Sequence, residues 1–272
     1  MADPIAERKA QTRAVFDRIV RDYDAGGPGC FATFGRRLVD YLNGEVGIVA
    51  GQRVLDVATG RGAALFPAAE AVGPEGSVRG LDLSEGMAAA TRDEAARRGV
   101  AVEVRVGDAE ALDFPDATFD LVLCGFGLMF FPQVARALAE FRRVLRPGGT
   151  LGVSTWQITQ ADDLATVLAQ QGLLDVNQEV LQFSVADDLA RALEAADFAR
   201  VRVRADTVEF RYDDLAAYWQ NARGTGVRRW LDRLDDAQRE RVRAALAERV
   251  QPQQRADGLY LPATALLAVG VK

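Results

Sequence analysis

The run Arg53-Val54-Leu55-Asp56-Val57-Ala58-Thr59-Gly60-Arg61-Gly62 decides the fold. A short β-rich stretch at 53–57 ends beside an acid and breaks at two glycines separated by one residue; residues 63–72 then read as helix. Strand, glycine turn and helix in that order make the unit of a parallel α/β sheet. Gly60 and Gly62 can take positive φ and let a ligand approach the backbone closely. In a doubly wound sheet this first turn is where nucleotides bind, although two glycines alone are equally compatible with a tight turn and no ligand.

Outward from the turn the alternation continues. Ser77–Leu83, Ala101–Val106, Phe119–Gly125 and Thr150–Thr155 read as strands, with helical stretches at 85–98 and 133–145. Upstream, residues 5–23 form an amphipathic helix that meets the Gly-Gly-Pro-Gly break at 26–29, and Phe31–Leu42 form a second. Downstream come a helical stretch at 161–175, a helix at Val185–Ala196 and a half-exposed strand at Arg200–Phe210. A helical segment rich in Arg and Asp at 213–249 precedes a last strand at Leu259–Val271. The expected fold is α/β: a Rossmann-like, mostly parallel sheet of seven strands with helices on both faces, an N-terminal helical arm and a helical cap inserted before the last strand. The expected division is an arm or lid at 1–46, a cofactor-binding core at 47–156, and residues 157–272 completing the sheet and carrying the cap at about 212–250.

Composition removes whole chemistries. The chain has 272 residues and no histidine, and Lys9 and Lys272 are the only lysines among 33 basic side chains. A Ser-His-Asp or Cys-His centre, a His-ligated metal and a His base are therefore impossible, and an internal Schiff-base lysine is disfavoured. Cys30 and Cys124 are too few for a cysteine-built metal site and give no disulfide framework. Cys124 reads as a small strand residue rather than a nucleophile, and no resident metal is expected. A net charge of −6 and a pI near 5 argue against nucleic acid as a partner. Asp3, Glu7, Arg8 and Lys9 leave no apolar signal-peptide core. The longest apolar runs, Leu121–Phe131 and Leu261–Val271, are about half the length that spans a bilayer. A cytoplasmic location, a small-molecule partner and no membrane span are expected, with a homodimer allowed.

Which ligand the turn wants follows from the strand ends. A dinucleotide fingerprint needs a third glycine where this chain has Leu65, and Asp56 at the strand end would repel a pyrophosphate. The same carboxylate would attract an ammonium, which S-adenosylmethionine carries beside its sulfonium. Asp82 lies 20 residues beyond Gly62, where an acid accepts bonds from ribose hydroxyls in either kind of cofactor. Gly107-Asp108-Ala109 ends the third strand with a carboxylate followed by a backbone N–H, a pattern that matches the adenine edge.

These residues resemble the class I S-adenosylmethionine-dependent methyltransferases. The motifs are DVATGRG (56–62), GLDLSEGM (80–87), GDAEALDFPDATFDLVLC (107–124) and LRPGG (145–149), and VFDRIVRDYD (15–24) resembles the arm of the ubiquinone/menaquinone-type and small-molecule branch. Thr59 stands where many relatives have Gly or Cys. The resemblance implies S-adenosylmethionine as cofactor and S-adenosylhomocysteine as product. It implies that Asp56, Ala58, Thr59, Gly60 and Gly62 surround the methionine part. Asp82 and Leu83 would lie at the ribose, Met87 near the adenine, and Gly107, Asp108 and Ala109 at the adenine edge. Cys124 and Phe126 would line the transferred methyl, with Tyr23 closing over it.

The expected activity is methylation of carbon or oxygen on a hydrophobic or aromatic small molecule, with catalysis mainly by positioning. The acceptor-pocket candidates are Tyr23, Phe126, Met129, Trp156 and Trp219, with Tyr218 as a further roof, while Phe130 and Phe131 read as core. Arg223, Arg228 and Arg229 read as a solvated helix face, and Asp162–Asp163 and Asp187–Asp188 as acids at helix starts. Three competing readings remain. One is a methyltransferase-like enzyme that keeps the cofactor but catalyses cyclisation or rearrangement. The others are a non-catalytic binding subunit and an NAD-dependent oxidoreductase.

Overall fold

The structure, a computed structural model, describes residues 3–24, 27–157, 163–174 and 183–272. Of the helix expected at 161–175, residues 161, 162 (Asp162) and 175 lie outside these, and 171–174 form a turn rather than helix. The described part of that helix is Asp163–Gln170.

The elements, in chain order, are α1 (Pro4–Ile19), α2 (Cys30–Val46), β1 (Arg53–Val57), α3 (Leu65–Val72), β2 (Ser77–Asp82), α4 (Glu85–Arg98), β3 (Glu103–Val106), β4 (Phe119–Gly125), α5 (Val134–Val144), β5 (Leu145–Trp156), α6 (Asp163–Gln170), α7 (Ala186–Ala195), β6 (Ala199–Tyr212), α8 (Leu215–Arg223), α9 (Arg228–Leu231), α10 (Asp236–Val250), β7 (Gln254–Arg255) and β8 (Gly258–Val271). The sheet runs β3-β2-β1-β4-β5-β8-β6, and the two-residue β7 pairs with β8. Strands β1 to β5 are parallel, and β8 enters antiparallel between β5 and β6. The seven expected strands are present, and β7 is a short eighth. It forms because Gly258 takes φ +153 at the start of β8, where the chain folds back on itself.

Strand alternation sorts the core onto two faces. On β4, Leu121 and Leu123 join one cluster while Val122 and Cys124 join the other; on β8, Leu267 and Val269 oppose Leu266 and Ala268. Helix α2 buries Phe34, Leu38 and Leu42, one turn apart, on the first face. It lies close to the sheet because Gly152 has no side chain: a Cβ there would stand 2.3 Å from Leu42. The second face carries α5, with Leu138 and Phe141 buried, and α7, with Leu189 and Leu193 buried. Among the described residues no helix is long and apolar enough to cross a membrane.

Helix α1 is shorter than the sequence suggests. It stops at Ile19, and Asp22 and Tyr23 close a turn by donating to the Ile19 carbonyl. That turn brings Tyr23 back over the sheet. The helical cap between β6 and β8 is α8, α9 and α10, started by the side-chain caps Asp214 and Asp235. In α7, Asp187 and Asp188 occupy the first turn.

Candidate active site

Strand order reverses between β1 and β4, so a crevice opens beyond their C-terminal ends. Two non-glycine residues there hold left-handed backbone: Ala58 after β1 at φ 55, and Phe126 after β4 at φ 54. Such conformations cost about 1–2 kcal/mol each and gather at functional sites. Both residues line a cavity of about 370 Å³ that runs from the ends of β1, β2 and β3, beneath the arm, to the cap.

At one end the walls are polar. The Asp82 carboxylate accepts from the Gly60 N–H at 2.8 Å and the Ser84 N–H at 2.9 Å, which joins the ends of β1 and β2. Burial pushes its pKa up to about 6, against the lowering effect of those donors, and the Asp17 carboxylate nearby adds to the rise. Asp108 accepts from the Glu110 N–H at 2.9 Å. Ser84 caps α4 by accepting from the Met87 N–H. Of the residues expected to hold a cofactor, Tyr23, Ala58, Gly60, Asp82, Leu83, Gly107, Asp108, Ala109 and Phe126 line this cavity.

The others stand behind the wall. Asp56 does not face the crevice. It is 1% exposed, and its carboxylate accepts from the Thr59 hydroxyl at 2.7 Å and from the Leu65 N–H. It therefore braces the glycine turn from beneath, and burial pushes its pKa up to about 7. Thr59 is buried in that bond, and Gly62, at φ 82, lies under the Phe66 ring. Met87 is fully buried within α4. Cys124 points to the sheet's second face, where burial raises its pKa and leaves it a thiol.

At the other end the walls are aromatic. Phe126 and Trp156, from β4 and β5, have ring centroids 4.2 Å apart, and Phe31 of α2 meets both edge-on. Tyr23 stacks on Phe31 at 4.9 Å and passes above Gly60, so it touches both ends of the cavity. Phe16 packs on Phe130 at 5.0 Å, and Tyr212 on Tyr218 at 5.1 Å. Met129, Phe130, Phe131 and Trp230 complete the wall.

Trp219 is a correction to the sequence reading. It is 6% exposed, sits in the core under the Arg243 guanidinium, and does not line the cavity, whereas its neighbour Tyr218 does. Successive helical residues point about 100° apart, so one of the pair had to turn inward. Arg228 pairs with Asp232 and Asp22 and is largely covered, so it is not the solvated face expected of it. Arg229 instead lines the cavity, stacked on Trp230 at 4.0 Å. Sequence reasoning missed Lys9, Phe16 and Phe31 from the helical arm, and Tyr212 and Asn221 from β6 and the cap. Only Lys9 carried a signal, as one of just two lysines in the sequence.

Residues 54–149 match the family model described as a methyltransferase domain. The chain is 33% identical over 254 residues to the nocamycin O-methyltransferase of Saccharothrix syringae, covering 85% of this chain and 88% of that one. It is 37% identical over 212 residues to the aklanonic acid methyltransferase DauC of Streptomyces sp. strain C5, covering 71% and 94%. A ubiquinone/menaquinone biosynthesis C-methyltransferase of Cupriavidus metallidurans matches at 34% over 148 residues, 54% of this chain and 61% of that one. In fold, the chain is similar to the YcgJ protein of Bacillus subtilis (TM-score 0.60, 21% identity, 87% and 98% covered). It is similar also to the [4+2]-cyclase SpnF (TM-score 0.53, 23% identity, 86% and 80% covered). With a relative 33% identical over most of both chains and a methyltransferase-domain model matching residues 54–149, the protein belongs to the S-adenosylmethionine-dependent methyltransferases.

Proposed function

We propose that the chain transfers a methyl group from S-adenosylmethionine to carbon or oxygen of a hydrophobic or aromatic small molecule, releasing S-adenosylhomocysteine. The observation that carries this reading is the continuity of one cavity, with Asp82 and Asp108 at one end and the Phe126–Trp156 pair at the other.

The polar end fits this cofactor by its donor set. It offers carboxylates and backbone N–H groups to hydroxyls and an adenine edge, and the carboxylates would repel a pyrophosphate. Asp82 would take the ribose hydroxyls, Asp108 and the Ala109 N–H the adenine edge, and the Ala58–Gly60 turn the methionine part. Asp56 would act on that last contact only by holding the turn. When bound, the cofactor supplies a methyl on a sulfonium, displaced in line by a nucleophile. Tyr23, Phe31, Phe126 and Trp156 would face that cation with their rings and exclude water from it.

At the aromatic end the described titratable groups include Tyr23, Cys30 and Tyr212, and burial keeps all three protonated. They would orient an acceptor by donating hydrogen bonds and would be poor bases, so catalysis would rest on placement. The names of two relatives, a nocamycin O-methyltransferase and an aklanonic acid methyltransferase, favour a secondary-metabolite acceptor. A second reading, cyclisation or rearrangement with the cofactor retained, draws on the likeness in fold to SpnF.

Labelled S-adenosylmethionine, incubated with a panel of phenols, quinones, indoles and prenylated compounds, tests the two together. Label in the recovered product supports transfer; a rearranged product without label supports the second reading. Calorimetry with NAD is expected to give no binding, and tight NAD binding would overturn both.

A further inference from the structure

Lys9 stands at the polar end of the cavity, on the helical arm. Its Nζ lies 2.7 Å from Asp108 Oδ2 and 2.5 Å from Glu110 Oε2. The Glu110 side chain is 1% exposed, and a carboxylate so buried requires a cation and hydrogen-bond donors. Lys9 is the cation, and the Gln133 N–H, at 2.7 Å, is a donor. Burial alone would lower the lysine pKa, but the two carboxylates outweigh it and hold the ammonium charged. Each Asp108 oxygen has one partner, Lys9 or the Glu110 N–H, and keeps capacity for another donor.

The rest of α1 is tied down on both sides. Asp17 accepts from the Ser84 hydroxyl at 2.5 Å and the Gly86 N–H at 3.1 Å, just past β2. Arg18 pairs with Asp232 at 3.0 Å, and Arg228 with Asp22 at 3.6 Å, on the cap side. Lys9, Thr12, Arg13 and Phe16 thereby form a wall of the cavity. A ligand enclosed by that wall must favour the docked arm, and the docked arm must favour the ligand.

We propose that Lys9 is a positioning residue for the cofactor: it fixes Asp108 and Glu110 at the end of β3 and latches α1 over the adenosine end of the cleft. The proposal rests on the reading above that Asp108 faces the cofactor.

The scarcity of lysine supplies the test. A lysine-specific endoproteinase has one internal site, the Lys9–Ala10 bond, and cutting it requires Lys9 to leave its two carboxylates. Saturating S-adenosylhomocysteine is expected to slow loss of residues 1–9, read by mass spectrometry, by about tenfold or more. In calorimetry, Lys9→Met is expected to bind S-adenosylhomocysteine about tenfold more weakly than the wild type, and Lys9→Arg within about threefold. A merely structural lysine would lower thermal stability in Lys9→Met and leave the affinity and its rescue unmoved. Equal affinities in wild type and Lys9→Met overturn the proposal, and so does a cleavage rate indifferent to the ligand. The cleavage assay needs no variant, so it decides even where Lys9→Met fails to fold. Failure of the wild type to bind S-adenosylhomocysteine is a different result, and it overturns the cofactor reading itself.

Discussion

The two ends of the cavity are built by different means. The polar end is assembled from the tips of three adjacent parallel strands, and backbone fixes its side chains: Gly60 and Ser84 N–H groups orient Asp82, and the Glu110 N–H orients Asp108. The aromatic end has no such frame. Its rings come from α1 and the turn after it, from α2, from the residues after β4, from the end of β5, from β6 and from the cap. A site made by strand ends inherits its geometry from the sheet, whereas a site made by converging side chains can change its occupant without changing the fold.

Substitutions should therefore separate the ends. Asp82→Ala removes the acceptor of two backbone donors and the group proposed for the ribose. We expect cofactor binding to weaken by about 100-fold in calorimetry, charge-assisted hydrogen bonds being the strong ones. Trp156→Ala opens the other end. We expect kcat/KM for a methylated acceptor to fall by about 10- to 100-fold, with affinity for S-adenosylhomocysteine, which carries no cation for the ring to face, within about twofold of the wild type. If Trp156→Ala weakens the cofactor as much as Asp82→Ala does, the two ends are one site and the distinction fails.

The same contrast governs what could be read from the sequence. The polar end was legible because each group sits in a contiguous motif at a strand end, and strand spacing fixes where strand ends fall. Asp82 and Asp108, read from strand-end motifs, both line the cavity. Asp56 misled because an acid at a strand tip can turn toward the ligand or back into the loop, and the Thr59 hydroxyl draws it back. At the aromatic end, Trp219 and Tyr218 are neighbours on one helix, and only packing against Arg243 decides which of them faces inward. Phe16, Phe31 and Asn221 join the wall through contacts between segments remote in sequence, which no local pattern encodes. Phe130 and Phe131 read as core, yet both line the cavity.

Titration sharpens the comparison further. Asp82 titrates near pH 6 in the free protein, and ribose hydroxyls would bind its ionised form. Protons then compete with the cofactor, so affinity is expected to fall about tenfold between pH 7.5 and 5, and Asp82→Asn to flatten that profile. Stability of the free protein moves the other way. Asp56 and Asp82 have folded-state pKa values raised to about 7 and about 6, so the fold holds these protons more tightly than the unfolded chain. Their contribution to stability is present at low pH and is lost as pH rises from the ordinary carboxylate range through those values. No described carboxylate lines the aromatic end: Asp24, its pKa raised by burial, stands behind Tyr23, Cys30 and Tyr212, so acceptor binding should follow neither trend closely. There, Tyr218→Ala is expected to raise the acceptor KM about fivefold while Trp219→Ala mainly lowers thermal stability. Equal effects on KM would place Trp219 at the acceptor after all.

The smallest expected effect tests whether the polar end is set by backbone. Ala58 holds φ 55, which a glycine adopts at little cost. Relief of that strain favours Ala58→Gly by about 1–2 kcal/mol, and the added freedom of the unfolded chain takes back about 0.4–1 kcal/mol. The variant should therefore gain between nothing and about 1.6 kcal/mol and melt slightly higher, with cofactor affinity little changed. Phe126 holds the same conformation at φ 54, but its ring is the wall itself, so the corresponding glycine would lose more packing than it recovers in strain. The Ala58 methyl does approach Gly127, where a Cβ would come within 2.8 Å of it. A lower melting temperature for Ala58→Gly would mean that this methyl contact outweighs the strained backbone, and that side-chain packing sets the geometry at both ends of the cavity.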